Sequence, residues 1–294
     1  MPRGPPRSSA VKTVCFVNPW AERGPYPEAL AAVLNPAQGE AFGRWLSPWP
    51  RLNPGATPLA PLPEQAEALG VGVLWLKDEG QRSPLGSFKA LGAPVALVAE
   101  VLRRNPSWEG RGVLAGRYAE ALASFTVISA TDGNHGRSLA AAAQDAGCRC
   151  VIVLHAEVSE ERETAIAQLG AEIVRVAGNY DESVAEAARL ADAEGWQVIS
   201  DTSYAGYERI PGDVMQGYSR IAAEALAQAP EGFTHVVLQG GVGGLAAGVI
   251  SEFWGRLGAA RPTFLVVEPA QADCLLQSAK LGRAATATGS VDSV

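Results

Sequence analysis

From Val73 onward, short apolar runs alternate with longer segments of helical period. VLWLKD (73–78), FTVISA (125–130), RCVIVLHA (149–156), AEIVRVAG (171–178), WQVISD (196–201), THVVLQ (234–239) and PTFLVVE (262–268) are apolar runs rather than polar–apolar alternations. Runs of that kind suit parallel strands covered on both faces. Between them, FKALGAPVALVAEVLRR (88–104, despite Pro94), NHGRSLAAAAQDAG (134–147), SEERETAIAQLG (159–170), DESVAEAARLADAEG (181–195), VGGLAAGVISEFWGRLG (242–258) and ADCLLQSAKLG (272–282) read as helices, as does a long stretch after Asp201 that runs to about Ala229. Strand–helix alternation predicts an α/β fold with doubly wound parallel sheets. Residues 13–70, rich in Pro, Trp and Gly, predict an irregular wrap with one or two short helices, and residues 1–12 a disordered lead. The last residues, ATGSVDSV, follow a strand–helix pair with no closing helix, so the sequence is expected to be a C-terminally truncated version of a longer protein.

Length and charge narrow the partners. A chain of 294 residues makes one large domain or two smaller ones. The net charge of −7 disfavours a nucleic-acid backbone or an anionic membrane. No run approaches the roughly 18 apolar residues of a membrane span, and the N-terminus has no apolar signal core, so the cytoplasm is expected by default. Cys148 and Cys150 flank a single residue, which is not redox C-x-x-C spacing, and they read as small buried groups at a strand start. His135, His155 and His235 show no metal-ligand spacing, and no catalytic transition metal is expected.

Chemistry collects where the strands end. Parallel strands place their carboxyl ends on one edge, and ligands bind there in open sheets. Asp132-Gly133-Asn134, Asp201-Thr202, Gly240-Gly241-Val242-Gly243-Gly244 and Glu268-Pro269 all occupy such positions. Gly240–Gly244 lies between a strand and a helix, where exposed N–H groups and the helix dipole favour a phosphate; the alternative is a tight turn kept small for packing. Gly241 to Ala246 also fits G-x-G-x-x-A, with Glu268 where a ribose-binding acid belongs, which read alone predicts a nicotinamide-dependent oxidoreductase. Lys89, between Phe88 and Ala90-Leu91-Gly92, is either a solvated helix-start lysine or a desolvated amine whose lowered pKa makes it a nucleophile toward carbonyls. Asp132, two residues before a helix, fits an N-cap. Asp181 fits one too, before a helix that starts at 182. Tyr207 and Gln216 either line a site or pack.

Taken in order and spacing, Ser87-Phe88-Lys89, Gly133-Asn134-His135-Gly136 and Gly240–Gly244 resemble the cofactor-lysine motif, the G-N-H-G loop and the phosphate loop of fold-type II pyridoxal phosphate enzymes, the tryptophan synthase β-like group. Lys89 is followed by Ala90-Leu91-Gly92, without the arginine usual in threonine dehydratases of this fold. F-K-A-L-G, T-D-G-N-H-G-R and D-T-x-x-x-G-Y-E-x-I-P…M-Q-G-Y (Asp201 to Tyr218) are more similar to the diaminopropionate ammonia-lyases, over about the first three quarters of such a protein. The resemblance implies a large cofactor-binding domain from 13–92 and 204–294, incomplete at its end, around a small α/β domain at 93–203. It implies α,β-elimination of 2,3-diaminopropionate to pyruvate and ammonia, amino-acid catabolism and a homodimer. Lys89 would carry pyridoxal 5'-phosphate, Asn134 would contact its pyridine hydroxyl, and Gly240, Gly241, Val242, Gly243 and Gly244 would hold its phosphate. Asp132 would be the base on the substrate face opposite Lys89, and Asp132 or Asp201 would attract the substrate's second ammonium. A serine or threonine dehydratase, or an inactive truncated protein that binds the cofactor, are the alternatives.

Overall fold

The computed structural model describes residues 14–131 and 133–289. The lead expected at 1–12 and the side chain of Asp132 lie outside the described residues. Before the first strand come α1 (Glu28–Ala31) and α2 (Pro36–Leu46), the second capped by the Asn35 side chain, which accepts from Gln38 N. β1 (Leu59–Pro61), α3 (Pro63–Leu69) and β2 (Trp75–Lys77) follow, with β1 antiparallel to β2. The stretch expected to be an irregular wrap therefore holds three helices and a strand. Pro36 and Pro63 sit at helix first turns, where a missing N–H costs nothing.

The helix expected over 88–104 divides. Phe88–Leu91 is a 3₁₀ turn, and α4 (Ala93–Arg104) starts with Pro94 in its first turn. Pro94 is thus at the one place a helix accepts it. Two short turns, α5 (Gly110–Val113) and α6 (Ala119–Leu122), lead to the main sheet.

That sheet alternates β3 (Thr126–Ala130), α7 (Asn134–Ala146), β4 (Arg149–Leu154), α8 (Glu160–Ala167), β5 (Glu172–Arg175), α9 (Tyr180–Glu194) and β6 (Gln197–Val198). All four strands are parallel, in the order β5-β4-β3-β6. Side chains alternate between two cores. Val127, Ile152 and Leu154 join α4 and α7 on one face, whereas Ile128, Val151 and Val153 join Ala187 and Ala191 of α9 on the other. Burial on both faces is why these strands read as unbroken apolar runs. The expected N-cap at Asp181 is displaced: Asn179 caps α9 in a capping box with Glu182, and Asp181 lies in the first turn. Cys150 is buried in β4 and Cys148 precedes the strand; burial pushes the Cys148 thiol up to about 12, so both are inert packing groups.

After a loop comes α10 (Arg209–Gln228), then β7 (His235–Gln239), α11 (Gly244–Leu257), β8 (Thr263–Val267) and α12 (Cys274–Leu281). β7 and β8 pair in parallel. One face of this pair stays bare among the described residues: Val237, Leu265 and Val267 are exposed. The expectation that every strand is covered on both faces fails here. α4, α7, α10 and the Phe88–Leu91 turn pack together, and α7 lies on β3 and β4.

Candidate active site

The site forms where α4's leading turn meets the ends of β3 and β6. Ser87 accepts from Lys89 N through its Oγ, capping the 3₁₀ turn and setting the direction of the lysine. β3 and β6 are neighbours, so the residues that follow them converge. Lys89 Nζ donates to Asp201 Oδ2, joining residues 112 apart in sequence. From α7, His135 places Nδ1 3.7 Å from the same Asp201 oxygen and its Nε2 2.8 Å from the Ile199 carbonyl.

Tyr218 completes the group from α10. Its ring makes an edge contact with Phe88 at 5.1 Å between centroids and lies 5.8 Å from Lys89 Nζ. The residue is 1% exposed, and its hydroxyl interacts with Lys89. Two glycines make this approach possible. A Cβ on Gly217 would overlap the Leu91 carbonyl, and a Cβ on Gly92 would stand 2.6 Å from Tyr218 Cε1.

The electrostatics revise the sequence reading of Lys89. Burial lowers its pKa, but Tyr218 and Asp201 raise it by more, and the net shift is upward. Lys89 on its own is therefore an ammonium, not a free amine primed by desolvation. Burial pushes the Asp201 carboxyl up, yet His135 and Lys89 outweigh it and hold the group at about 2. Burial raises Tyr218, so its hydroxyl stays neutral.

Asn134 opens α7 and is exposed beside this cluster. The glycine loop is reached through α10: Gly248 of α11 abuts Met215 and Tyr218, and Gly244 lies over Met215. Gly240 N donates to the Val267 carbonyl at 2.8 Å, and Gly243 is left-handed at φ 90°. A Cβ on Gly240 would meet Val266 at 2.8 Å, while the space at Gly241 is open and Val242 is 61% exposed. An open, glycine-lined loop at the start of a 14-residue helix has the shape and polarity to take a phosphate. The loop therefore fits the phosphate of a cofactor.

Glu268 serves differently from a ribose acid. Its Oε1 and Oε2 accept from Leu275 N and Leu276 N, each at 2.8 Å, capping α12. That removes the acid the dinucleotide alternative needed. Tyr207 and Gln216 are structural: Tyr207 donates to the Val198 carbonyl and accepts from Ser200 N, and Gln216 ties Asn35 N to Ser219. Sequence reasoning missed Tyr218 and gave His135 no role of its own. The only signal was their presence inside the quoted motifs.

A lysine on a strand-end carboxylate, a G-N-H-G helix start and a glycine phosphate loop define a cofactor-dependent α/β enzyme. The chain belongs to the pyridoxal-phosphate dependent enzyme family, whose pattern matches residues 51–293. Within it, diaminopropionate ammonia-lyase of Salmonella typhimurium is 37% identical over 235 residues, 77% of this chain and 58% of that relative. Threonine dehydratase 1 of Solanum lycopersicum is 31% identical over 77% of this chain and 33% of its own. Holo diaminopropionate ammonia lyase from Escherichia coli superposes with a TM-score of 0.81 at 32% identity, covering 92% of this chain and 70% of that one. The chain thus spans a little over half the length of the ammonia-lyases it matches. Among the described residues no group of His, Cys, Asp and Glu is placed to hold a metal ion, and no helix is long and apolar enough to cross a membrane.

Proposed function

We propose that this chain carries the catalytic residues of a carbon–nitrogen lyase that converts 2,3-diaminopropionate and water to pyruvate and two ammonia molecules. The observation that carries the proposal is the Lys89–Asp201 pair: a carboxylate kept ionised beside the lysine suits a substrate with a second ammonium. The likeness to diaminopropionate ammonia-lyases supports it.

When bound, pyridoxal phosphate supplies the electron sink for loss of the Cα proton. Lys89 would offer the amine that holds the cofactor, Asn134 would contact its pyridine hydroxyl, and Gly240–Gly244 with the α11 dipole would take its phosphate. Asp201 draws the substrate's β-ammonium toward the site and so orients the Cβ–N bond that breaks. Lys89 accepts the Cα proton on one face. Asp132, in the T-D-G-N-H-G-R motif, accepts it on the other, which admits the opposite enantiomer. Tyr218 and Phe88 exclude water behind Lys89. We further assign residues 13–92 and 204–294 to a large domain and 93–203 to a small one, and place the protein as a cytoplasmic homodimer in amino-acid catabolism.

The test is pyruvate or ketobutyrate release from each isomer of diaminopropionate, from serine and from threonine, with added cofactor. Diaminopropionate as the best substrate is the expected result. Threonine as the best substrate would move the protein to the dehydratases. A Lys89→Ala protein should take up no cofactor that borohydride can fix to the chain.

A further inference from the structure

We propose that Glu268 is a positioning residue that sets the shape of the phosphate loop through α12, and with it the affinity of the chain for the cofactor's phosphate. The inference rests on the function proposed above, in which Gly240–Gly244 takes that phosphate. Gly240 N donates to the Val267 carbonyl, so the loop leaves β7 beside Glu268. A Cβ on Gly240 would stand 2.9 Å from Glu268 Cγ and 3.1 Å from Leu275 Cδ1, and one on Gly243 would stand 2.9 Å from Leu275 Cδ2. Both glycines therefore rest on the Leu275 side chain. Leu275 is fixed in turn by Glu268: Leu275 N donates to Oε1 and Leu276 N to Oε2, each at 2.8 Å. These are N–H groups that the start of a helix leaves without a partner in the helix.

Cys274, at the same helix start, adds a further brace. Its Sγ donates to the Gly241 carbonyl at 3.2 Å. Burial and the nearby Glu268 raise its pKa, so the thiol keeps the proton it donates. The Gly241–Val242 peptide is trans, and a trans peptide points its C=O and N–H in opposite directions. With the carbonyl turned toward α12, the Val242 N–H faces away from it, to the open side of the loop. A bare carboxylate beside this loop would repel a phosphate. Glu268 gives both oxygens to α12, so its contribution is geometry. The two effects have opposite signs in Glu268→Gln. Charge alone predicts tighter phosphate binding. Positioning predicts weaker binding, because the new amide brings a donor to a backbone N–H and breaks half of the cap.

The experiment compares capture of pyridoxal phosphate with capture of pyridoxal, which lacks the phosphate, by absorbance titration of the 294-residue chain, Glu268→Gln and Leu275→Ala. Pyridoxal reports Lys89 and the fold, and the ratio of the two dissociation constants reports the loop. In Glu268→Gln the preference for the phosphate form should fall about tenfold or more, the scale of one charge-assisted hydrogen bond, while pyridoxal capture holds. Leu275→Ala, which keeps the cap but removes the side chain under the two glycines, should lower the preference in the same way. An unchanged or larger preference in Glu268→Gln would overturn the proposal. So would equal loss of both aldehydes in the two variants, which would make α12 a general support of the fold. Either result leaves the lyase reading standing. An unaltered chain with no preference for the phosphate form would overturn the loop's assignment itself, and this inference with it.

Discussion

Gly217 of α10 lies directly on the carbonyl of Leu91, with no room for a Cβ between them. That contact presses Tyr218 against the turn that carries Lys89. Gly217→Ala should force the two segments apart and cost about 1–3 kcal/mol, as overpacking does. Urea denaturation measures it. The variant should also lose cofactor binding, because Lys89 sits in the displaced turn. An unchanged midpoint would show that the helix shifts freely.

Asp201→Asn should change when Lys89 reacts. Tyr218 and the ion pair with Asp201 together hold the amine protonated; without the ion pair only Tyr218 opposes burial, and the lysine pKa falls. Capture of pyridoxal phosphate needs the neutral amine. Its onset should therefore move to lower pH by about one unit or more in the variant. Absorbance against pH follows this without any substrate, and an onset at the same pH would mean that Tyr218 sets the lysine.

Asp132→Asn should separate the enantiomers. If Asp132 is the base on the face opposite Lys89, turnover of D-diaminopropionate should fall about 10²–10⁴-fold, the usual cost of losing a general base. The L-isomer should lose much less, and cofactor uptake should persist. Equal, mild losses on both would point to an N-cap role, and lost uptake to support of the loop.

Glu224 should govern acid stability of the first segment. Burial raises its carboxyl, but Arg82, Lys77 and Arg220 bond to it at 2.7–2.8 Å and hold it at about 2. A lowered carboxyl pKa stabilises the fold above the unfolded value near 4.5 and loses that contribution as pH falls toward 2. Glu224→Gln strips a carboxylate from Arg82, which is 1% exposed, and should cost about 3–5 kcal/mol at neutral pH. The gap between the two proteins should close between about pH 4.5 and 2, as measured by denaturation across that range. A gap independent of pH would make the loss one of packing.

The local pattern of the chain determined the strand–helix order and the glycine loop. Apolar runs report strands, and turn residues report local backbone, so neither needs distant partners. The same pattern placed Lys89, Asp132, Asn134 and Asp201 at element ends, but not against each other. Only the strand order, with β6 beside β3, brings Asp201 to Lys89 and His135. Only the meeting of α10 with the Phe88–Leu91 turn sets Tyr218 behind the lysine. The sign of the lysine's shift followed from those contacts, because Tyr218 and Asp201 together outweigh the desolvation that composition alone suggests. Glu268 shows the same limit from the other side. At a strand end it reads as a ligand acid, and it is the fold of α12 back onto it that gives both oxygens to backbone N–H groups.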